Sequence, residues 1–370
     1  MSNRAVVFRT DASLEIGTGH LMRCLTLANA LQAEGCECHF ICREHPGNLI
    51  EHVRQQGHKV YSLACISATN TDKTPAHAPW LGSTQALDAS LCATILSAIR
   101  PQWLVLDHYA LDARWEQSLK PHYRRLLVID DLADRPHLCD VLLDQTLGRD
   151  PLDYHSWVPA DCRVLCGAQY ALLRPEFAAL RTYSLQRRRS APLRHIMVSM
   201  GGVDKDDATG QILAALAVAK LPEDCTITVV MGSTAPWLAK IRRQAALMPV
   251  ATLVKVGVND MAQLMADSDL AIGAAGATSW ERCCLGLPTL MVVLADNQKT
   301  AAVELEKQGA VVLVQTHPES ALVLGHTISR LAGSPAQLVR MSEHARLITD
   351  GQGTSRVMKL LSSYFHEDCL

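Results

Sequence analysis

The sequence predicts an α/β protein with two doubly wound, Rossmann-like domains that face a central cleft. Three observations lead to this prediction. Short runs of aliphatic and β-branched residues alternate with amphipathic helical patterns along most of the 370-residue chain. The alternation stops once, at a polar and basic segment, and then starts again. Several strand-like runs are continuously apolar and end in glycine or acidic residues, which is typical of parallel strands covered on both faces.

The first half of the chain contains the elements of an N-terminal domain. Its helix places apolar residues at helical spacing, and each strand is a short apolar run. The predicted strands cover residues 5–8, 38–42, 59–63, 103–107, 125–131 and 141–145, and the first helix covers residues 21–31. Residues 64–82 have no periodicity, so we predict a loop there and assign it no chemistry.

The segment "SLQRRRSAPLR", residues 184–194, is predicted to be a linker, with its arginine run solvated rather than part of a binding patch. Residues 1–183 then form the N-terminal domain and residues 195–370 the C-terminal domain. Strands in the second domain are predicted within residues 195–202, 226–232, 251–257, 268–276, 288–294 and 310–314. The last helix, near residues 353–365, is expected to pack back on the N-terminal domain.

The overall composition excludes several classes of protein. The formal net charge is −2, so no bulk attraction to nucleic acid or an anionic membrane is expected. The N-terminal apolar run is too short for a signal peptide, and no stretch could span a bilayer, which predicts a cytoplasmic protein. The 13 cysteines include no C-x-x-C pair and are interpreted as buried free thiols. A monomer is favoured.

The stretch "RTDASLEIGTGHLMRC", residues 9–24, joins the first strand to the first helix and contains Gly17, Gly19 and His20. It matches neither the dinucleotide fingerprint nor a P-loop. Backbone N–H groups at a helix N-terminus favour anions and disfavour imidazolium, which would keep His20 neutral and usable as a general base. A histidine that caps or packs locally is the alternative.

Two further turns connect a strand to a helix in the second half. "SMGGVDKDD" contains Gly201 and Gly202, which allow close approach of a phosphate to the backbone; an ordinary connection is the alternative. "GAAGATSWE" contains Gly276, and Thr278 and Ser279 could donate to phosphate oxygens. Glu281 could accept from sugar hydroxyls, or could simply complement the helix dipole.

Acidic residues and histidines also follow several strands. Asp107, His108, Tyr109 and Asp112 follow one strand, and Asp130, Asp131 and Asp134 follow another. Because no paired-histidine spacing occurs, we interpret these residues as turn and cap residues rather than metal ligands. Asn297, followed by Gln298, is either an N-cap or a polar side chain that reaches a ligand.

Taken together, these motifs resemble a known family, the UDP-sugar hydrolases of pseudaminic acid biosynthesis. The matching stretches occur in order up to about residue 310: "FRTDASLEIGTGHLMRCLTLA", "DHYALDARWE", "VIDDLADRPHLCDVLLDQ", "YALLRPEF", "VSMGG", "VVMG", "GAAGATSWERCCLGLP" and "ADNQ". The family's usual alanine after "FR" is Thr10 here. Residues 64–82 and the tail after about residue 350 match less well.

The resemblance implies a GT-B-like architecture and a UDP-sugar substrate, with no cofactor or metal. The N-terminal domain would hold the sugar side and the catalytic base, and the C-terminal domain would bind the nucleotide. By resemblance His20 is the base, Tyr109 and Asn297 are catalytic, and Glu281 holds the ribose. The motifs also imply that substrate is bound by Arg9, Asp11, Gly17, Gly19, Gly201, Gly202, Gly276, Thr278, Ser279 and Gln298.

The implied reaction is hydrolysis of UDP-2,4-diacetamido-2,4,6-trideoxy-β-L-altropyranose, with inversion at the anomeric carbon. Glycosidases usually need two carboxyl groups, but UDP is a weakly basic leaving group, so one base for water is sufficient. A glycosyltransferase on the same scaffold and a non-catalytic UDP-sugar binding protein are the alternatives. Metal-dependent phosphohydrolysis through the aspartates is a third.

Overall fold

The computed structural model describes residues 4–65, 75–189, 192–233, 235–316 and 321–367. It divides the chain into two compact units. The first unit combines Met1–Leu172 with Gly353–Leu370, and the second comprises Leu173–Gln352. Each unit has a parallel sheet with helices, which confirms the predicted pair of doubly wound α/β folds.

The first unit has a seven-stranded parallel sheet in the order β3-β2-β1-β4-β5-β6-β7. Its strands are β1 Ala5–Thr10, β2 Glu37–Arg43, β3 Lys59–Leu63, β4 Trp103–Asp107, β5 Arg125–Ile129, β6 Val141–Asp144 and β7 Arg163–Cys166. Consecutive side chains of β1 enter different cores, Val6 and Phe8 on one face and Val7 on the other. This burial on both faces explains why the strands are continuously apolar.

Helices cover the sheet of the first unit. They are α1 Gly19–Ala33, α2 Ile50–Gln55, α3 Gln85–Ile99, α4 Ala113–Leu119 and, at the end of the chain, α13 Gly353–Glu367. Short 3-10 turns occur at Ala78–Leu81, Lys120–His122, Pro151–Tyr154 and Ala168–Tyr170. Helix α13 packs against α1, and its Val357 and Leu361 are fully buried in the same core as Phe8.

The second unit has a six-stranded parallel sheet in the order β10-β9-β8-β11-β12-β13. Its strands are β8 His195–Ser199, β9 Thr226–Met231, β10 Thr252–Val256, β11 Leu270–Ala274, β12 Thr289–Val292 and β13 Val311–Val314. Its helices are α5 Pro175–Arg187, α6 Ala208–Val218, α7 Leu238–Ala245, α8 Met261–Asp267, α9 Thr278–Cys284, α10 Lys299–Lys307, α11 Ala321–Ala332 and α12 Pro335–Ile348, with a 3-10 turn at Asp296–Gln298.

The predicted linker at residues 184–194 is wrong. Helix α5 continues to Arg187, and Ser184 is buried with its hydroxyl donating to the carbonyl of Leu285 at 2.7 Å. Arg188 is also buried and donates to the carbonyls of Met265 and Ser268. These polar side chains bond to backbone carbonyls of the second unit, so their polarity does not indicate a solvated linker. The units divide at Leu172/Leu173 instead, while residues 190 and 191 lie outside the described residues.

The cysteines that the structure describes are free thiols, and all of them except Cys65 and Cys162 are buried. No helix in the described part of the chain is long and apolar enough to cross a membrane.

A buried charge cluster fixes the carboxyl ends of β1 and β2. Asp88 of α3 accepts from Arg9 Nε and Nη2, from Arg43 Nη2 at 2.7 Å and from the indole Nε1 of Trp115. Arg9 Nη1 also pairs with Asp11 at 2.7 Å. Burial opposes ionisation of Asp88, but Arg9 and Arg43 outweigh it and hold the pKa of this carboxyl below its usual value.

Replacing Asp88 tests the importance of this cluster. We expect Asp88→Asn to lower the free energy of unfolding by about 3–5 kcal/mol, because two buried guanidinium groups lose their common counter-charge. The control is Glu37→Gln, which removes an exposed pair with Lys59 and should cost less than about 1 kcal/mol. Urea denaturation measures both variants. Equal effects would contradict a structural role for the cluster.

Candidate functional site

His20 lies at the second residue of α1, directly after the turn that follows β1. Gly17 adopts a φ of +78°, a conformation that favours glycine, and its N–H donates to the carbonyl of Ser13. A Cβ atom added at Gly17 or Gly19 would meet nothing within 4 Å. The turn is therefore open above the helix N-terminus, as the glycines predict.

His20 forms a dyad with Asp107 at the end of β4. The two side chains meet at 2.7 Å, between Nδ1 of the ring and Oδ1 of the carboxylate. Nδ1 of a neutral ring donates to a carboxylate, so this contact leaves Nε2 as the nitrogen that can accept a proton. The side chain of His20 is 11% exposed. The dyad has the arrangement of a general base held by an orienting acid.

Asp107 is fully buried and is also bound by Arg23. Nε and Nη2 of Arg23 donate to the two carboxylate oxygens at 2.6 and 2.8 Å. Burial alone would raise the pKa of Asp107, but Arg23 and His20 outweigh it and hold this pKa well below the usual range. Asp107 is thus a carboxylate over the whole working pH range.

The carboxylate of Asp107 is a partner that the residue spacing did not indicate. Besides the helix N-terminus, His20 faces the full negative charge of this side chain at hydrogen-bond distance. In a dyad of this kind the carboxylate stabilises the imidazolium that forms when the base takes a proton from its substrate.

Tyr109 belongs to the same network. Its ring meets the ring of His20 edge-on, with the centroids 4.4 Å apart, and its hydroxyl donates to Asp131 at 2.9 Å. Asp131 also accepts from Arg23 Nη1 at 2.6 Å. Burial and then Asp131 raise the pKa of Tyr109 well above its ordinary value, so the phenol keeps its proton. Tyr109 therefore orients the His20 ring and does not act as a base.

Arg9 and Asp11 do not fit the substrate-binding role that the motif implied. Both are fully buried in the charge cluster with Asp88. Asp11 accepts from the backbone N–H of Arg43, and its Oδ2 lies 3.2 Å from Nε2 of His108. They hold the segment before His20 in place, and this burial leaves no surface for direct contact with a ligand.

The turn after β8 contains Gly201 and Gly202, both exposed. Gly201 has a φ of +90°, and a Cβ added to either glycine would meet nothing within 4 Å. Asp204 accepts from the N–H groups of Ala208 and Thr209 at 2.9 and 3.0 Å, so the first N–H groups of α6 already have a partner. An anion at this turn would be bound by the glycine backbone rather than by the helix terminus.

The turn after β11 places Gly276, Thr278, Ser279 and Glu281 around the start of α9. Gly276 faces open space, Thr278 is half-buried, and the buried Ser279 accepts from Arg282 through its hydroxyl oxygen. Burial raises the pKa of Glu281 to about 7, against the opposing charge of Arg174, whose Nη2 lies 3.8 Å away. The side chain of Glu281 is 17% exposed, so its carboxyl group can contact a ligand.

Asn297 and Gln298 lie in the 3-10 turn after β12. Asn297 is exposed and lies inside this turn rather than at a helix N-cap. The side-chain carbonyl of Gln298 accepts from the backbone N–H of Leu294 at 2.9 Å, which leaves its NH₂ group for other contacts. The N-cap interpretation of Asn297 is therefore wrong, and the side chain of Asn297 caps neither this turn nor the helix after it.

Sheet order explains which predicted residues come together. Strands β1, β4 and β5 are neighbours, so His20, Asp107, Tyr109 and Asp131 meet at one carboxyl edge of the first sheet. Strands β8, β11 and β12 are neighbours in the second sheet, so the turns after them share its carboxyl edge. Each unit thus collects its candidate residues where ligands bind in doubly wound folds.

The other acidic residues have structural partners. Asp112 caps α4 and pairs with Arg114, and Asp130 pairs with Arg135 and accepts from the N–H groups of Leu132 and Ala133. Within the described ranges, no group of three or more His, Cys, Asp or Glu side chains could hold a metal ion. These contacts fit the interpretation as turn and cap residues.

Sequence analysis missed several parts of this site. It did not identify Arg23, although this arginine lies one helical turn after His20 and so on the same face of α1. It treated Asp107 and Asp131 only as strand-end acids. It also assigned no chemistry to residues 64–82, yet His77 and Trp80 contact the ring of Tyr109 at centroid distances of 5.4 and 5.9 Å. Residues 66–74 of that loop lie outside the described residues.

Comparisons with known proteins bear on the family resemblance and on the fold. Residues 198–358 match the model of the glycosyltransferase family 28 C-terminal domain. The chain is 26% identical over 304 residues to the UDP-2,4-diacetamido-2,4,6-trideoxy-beta-L-altropyranose hydrolase of Campylobacter jejuni, covering 82% of this chain and 97% of the relative. The resemblance seen in the motifs is thereby confirmed.

Two further comparisons concern glycosyl transfer and the fold. The chain is 33% identical over 181 residues to the UDP-N-acetylglucosamine--N-acetylmuramyl-(pentapeptide) pyrophosphoryl-undecaprenol N-acetylglucosamine transferase of Cupriavidus pinatubonensis, covering 47% of this chain and 49% of the relative. The crystal structure of Acinetobacter baumannii MurG superimposes with a TM-score of 0.68 at 18% identity, covering 97% of this chain and 99% of that one. The fold is GT-B-like, as predicted.

The raised pKa of Glu281 predicts a pH dependence of stability. In the folded chain Glu281 keeps its proton up to about pH 7, whereas the ordinary pKa of a glutamate is 4.5. The stability associated with the protonated carboxyl group is therefore complete below about pH 4.5 and is lost as the pH rises through 7. We expect Glu281→Gln to gain on the order of 3 kcal/mol over the wild type between pH 5 and pH 8. Urea denaturation across this range measures the difference.

The control for this titration is Glu343→Gln, which changes an exposed glutamate of the same unit. Its free energy of unfolding should follow the wild type at every pH. A Glu281→Gln curve that also runs parallel to the wild type would contradict the raised pKa.

Proposed function

We propose that this protein hydrolyses UDP-2,4-diacetamido-2,4,6-trideoxy-β-L-altropyranose to UDP and the free sugar, a step of pseudaminic acid biosynthesis. The likeness to the Campylobacter jejuni hydrolase, which extends over nearly the whole of that relative, supports the substrate. The observation that carries the reaction type is the His20–Asp107 dyad, an oriented base with one ring nitrogen free to accept a proton.

In the proposed reaction, Nε2 of His20 takes a proton from water as the water oxygen bonds to the anomeric carbon. The bond between that carbon and the phosphate oxygen breaks, and UDP leaves with the electron pair. Attack opposite the leaving group inverts the anomeric configuration. Asp107 stabilises the imidazolium, while Arg23 and Tyr109 keep acid and ring in place. No metal takes part, because the diphosphate is already a weakly basic leaving group.

The turns of the second unit would bind UDP. The exposed backbone of Gly201 and Gly202, together with Gly276 and the half-buried Thr278, offers donors for the diphosphate, while the buried Ser279 would support this turn through its bond with Arg282. Glu281 would accept from the ribose hydroxyls, and its ionised form is the better acceptor. Asn297 and the NH₂ group of Gln298 would donate to the substrate. In the first unit, Gly17 and Gly19 would leave room for the substrate beside His20.

A glycosyltransferase is the second candidate, because residues 198–358 match a glycosyltransferase domain and the fold is that of MurG. Both reactions use the same UDP-sugar chemistry. They differ in the nucleophile, which is water for the hydrolase and an acceptor hydroxyl for the transferase. The same dyad could activate either one, so the assay must contain no acceptor.

The first test measures UDP release from the purified protein with chelator present and no acceptor. We expect rapid release from the diacetamido-trideoxy-altrose compound and little from UDP-N-acetylglucosamine. In heavy-oxygen water the label should enter the sugar, because the C–O bond breaks on the sugar side. Label in the UDP phosphate, or a requirement for metal, would contradict the mechanism. No release without an added acceptor would favour the transferase.

The second test removes the dyad. We expect His20→Ala to lower kcat by about 10²- to 10⁴-fold, the usual contribution of a general base, and Asp107→Asn by up to about 10⁴-fold, the effect of losing the acid that sets the tautomer of the base. The Kd for UDP should stay unchanged in His20→Ala. His155→Ala, which changes an exposed histidine of the same unit, is the control and should keep full activity. Loss of UDP binding in His20→Ala would make His20 a structural residue.

A further inference from the structure

Four rings form a connected cluster beside the proposed base. His20 contacts Tyr109, which also contacts His77 and Trp80, and the rings of His77 and Trp80 lie 4.5 Å apart. The rings of Trp80 and Tyr109 are nearly parallel, with an interplanar angle of 26°. The cluster therefore extends the His20 site through the 3-10 turn Ala78–Leu81.

Tyr109 holds this cluster of rings in a fixed position. Its side chain is buried, its hydroxyl is held by Asp131, and the guanidinium of Arg135 lies 5.7 Å from its ring centroid. Trp80 and His77 pack on this ring but are only half-buried themselves. Their outer surfaces are thus available at a set position next to His20.

The two outer rings offer apolar surface and one free donor. Nε1 of the half-buried Trp80 has no hydrogen-bond partner among the residues that the structure describes, so this N–H is open to solvent or to a ligand. Burial is the main cause that lowers the pKa of His77. Asp134 opposes this shift while Arg135 and His20 add to it, and the net lowering of the pKa favours a neutral ring near pH 7. Neutral aromatic surface with an indole donor suits a group that has both methyl and carbonyl parts.

We propose that Trp80 and His77 form the surface that recognises the apolar substituents of the sugar, and so determine specificity. This inference rests on the proposed function. The acetamido groups and the C6 methyl of a diacetamido-trideoxy sugar would pack on the rings, and an acetamido carbonyl would accept from Nε1 of Trp80. The hydroxymethyl group of UDP-N-acetylglucosamine would lose water there without gaining a partner, which disfavours its binding.

The test measures binding separately from turnover. In a His20→Asn background, titration calorimetry gives the Kd of UDP alone and the Kd of the UDP-sugar, and the ratio of the first to the second isolates the contribution of the sugar. We expect Trp80→Ala to reduce this ratio about tenfold, the order expected for one aromatic contact. The Kd of UDP itself should not change. Trp157→Ala, which removes another half-buried tryptophan of the same unit, is the matched control and should leave the ratio unchanged.

A second variant distinguishes the loss of a sugar contact from a folding defect. Trp80→Phe keeps a ring but lacks the N–H donor, so it should lose less than Trp80→Ala while still discriminating against UDP-N-acetylglucosamine. An unchanged ratio in folded Trp80→Ala overturns the proposal. If the wild type binds the UDP-sugar without hydrolysing it and Trp80→Ala still loses the ratio, the surface stands and only the hydrolase proposal fails.

Discussion

The ionised carboxylate of Asp107 is the constraint on which the rest of the site depends. A buried charge must be compensated, and here Arg23 holds both oxygens while His20 binds one of them. Arg23 also donates to Asp131, which accepts a second hydrogen bond from the hydroxyl of Tyr109. Satisfying one negative charge thus orients the imidazole, the phenol and, through the phenol ring, the neighbouring aromatic side chains.

The proposed hydrolysis would take place on a fold shared with proteins that transfer sugars. A nucleotide diphosphate departs without strong acid assistance, so the protein needs a base, a defined position for the sugar and donors for the phosphates. In the proposed reaction, the base and the aromatic surface belong to the first unit, and the open glycine turns belong to the second. The difference between hydrolase and transferase then rests on which hydroxyl group reaches the base, because the base itself is equally suited to both.

Local pattern was enough to predict most of the fold, but side-chain partners depend on contacts distant in sequence. The continuous strands and the glycine turns followed from periodicity and composition, and so did the position of His20 at the start of α1. Asp107 lies 87 residues from His20, and no spacing rule links them. The predicted linker failed because Ser184 and Arg188 bond to backbone carbonyls up to 101 residues away. Arg9 and Asp11 are part of the motif but act from inside the core.

Helix α13 determines the order in which the two units can be completed during synthesis. Residues 353–367 complete a core that begins at β1, and the fully buried Val357 and Leu361 contribute to it directly. During synthesis from the N-terminus, the second unit is therefore complete before the first. The half that contains His20 keeps an apolar face of α1 uncovered until residues 353–367 have been made, and a chain that stops before them would contain a complete second unit beside an unfinished first one.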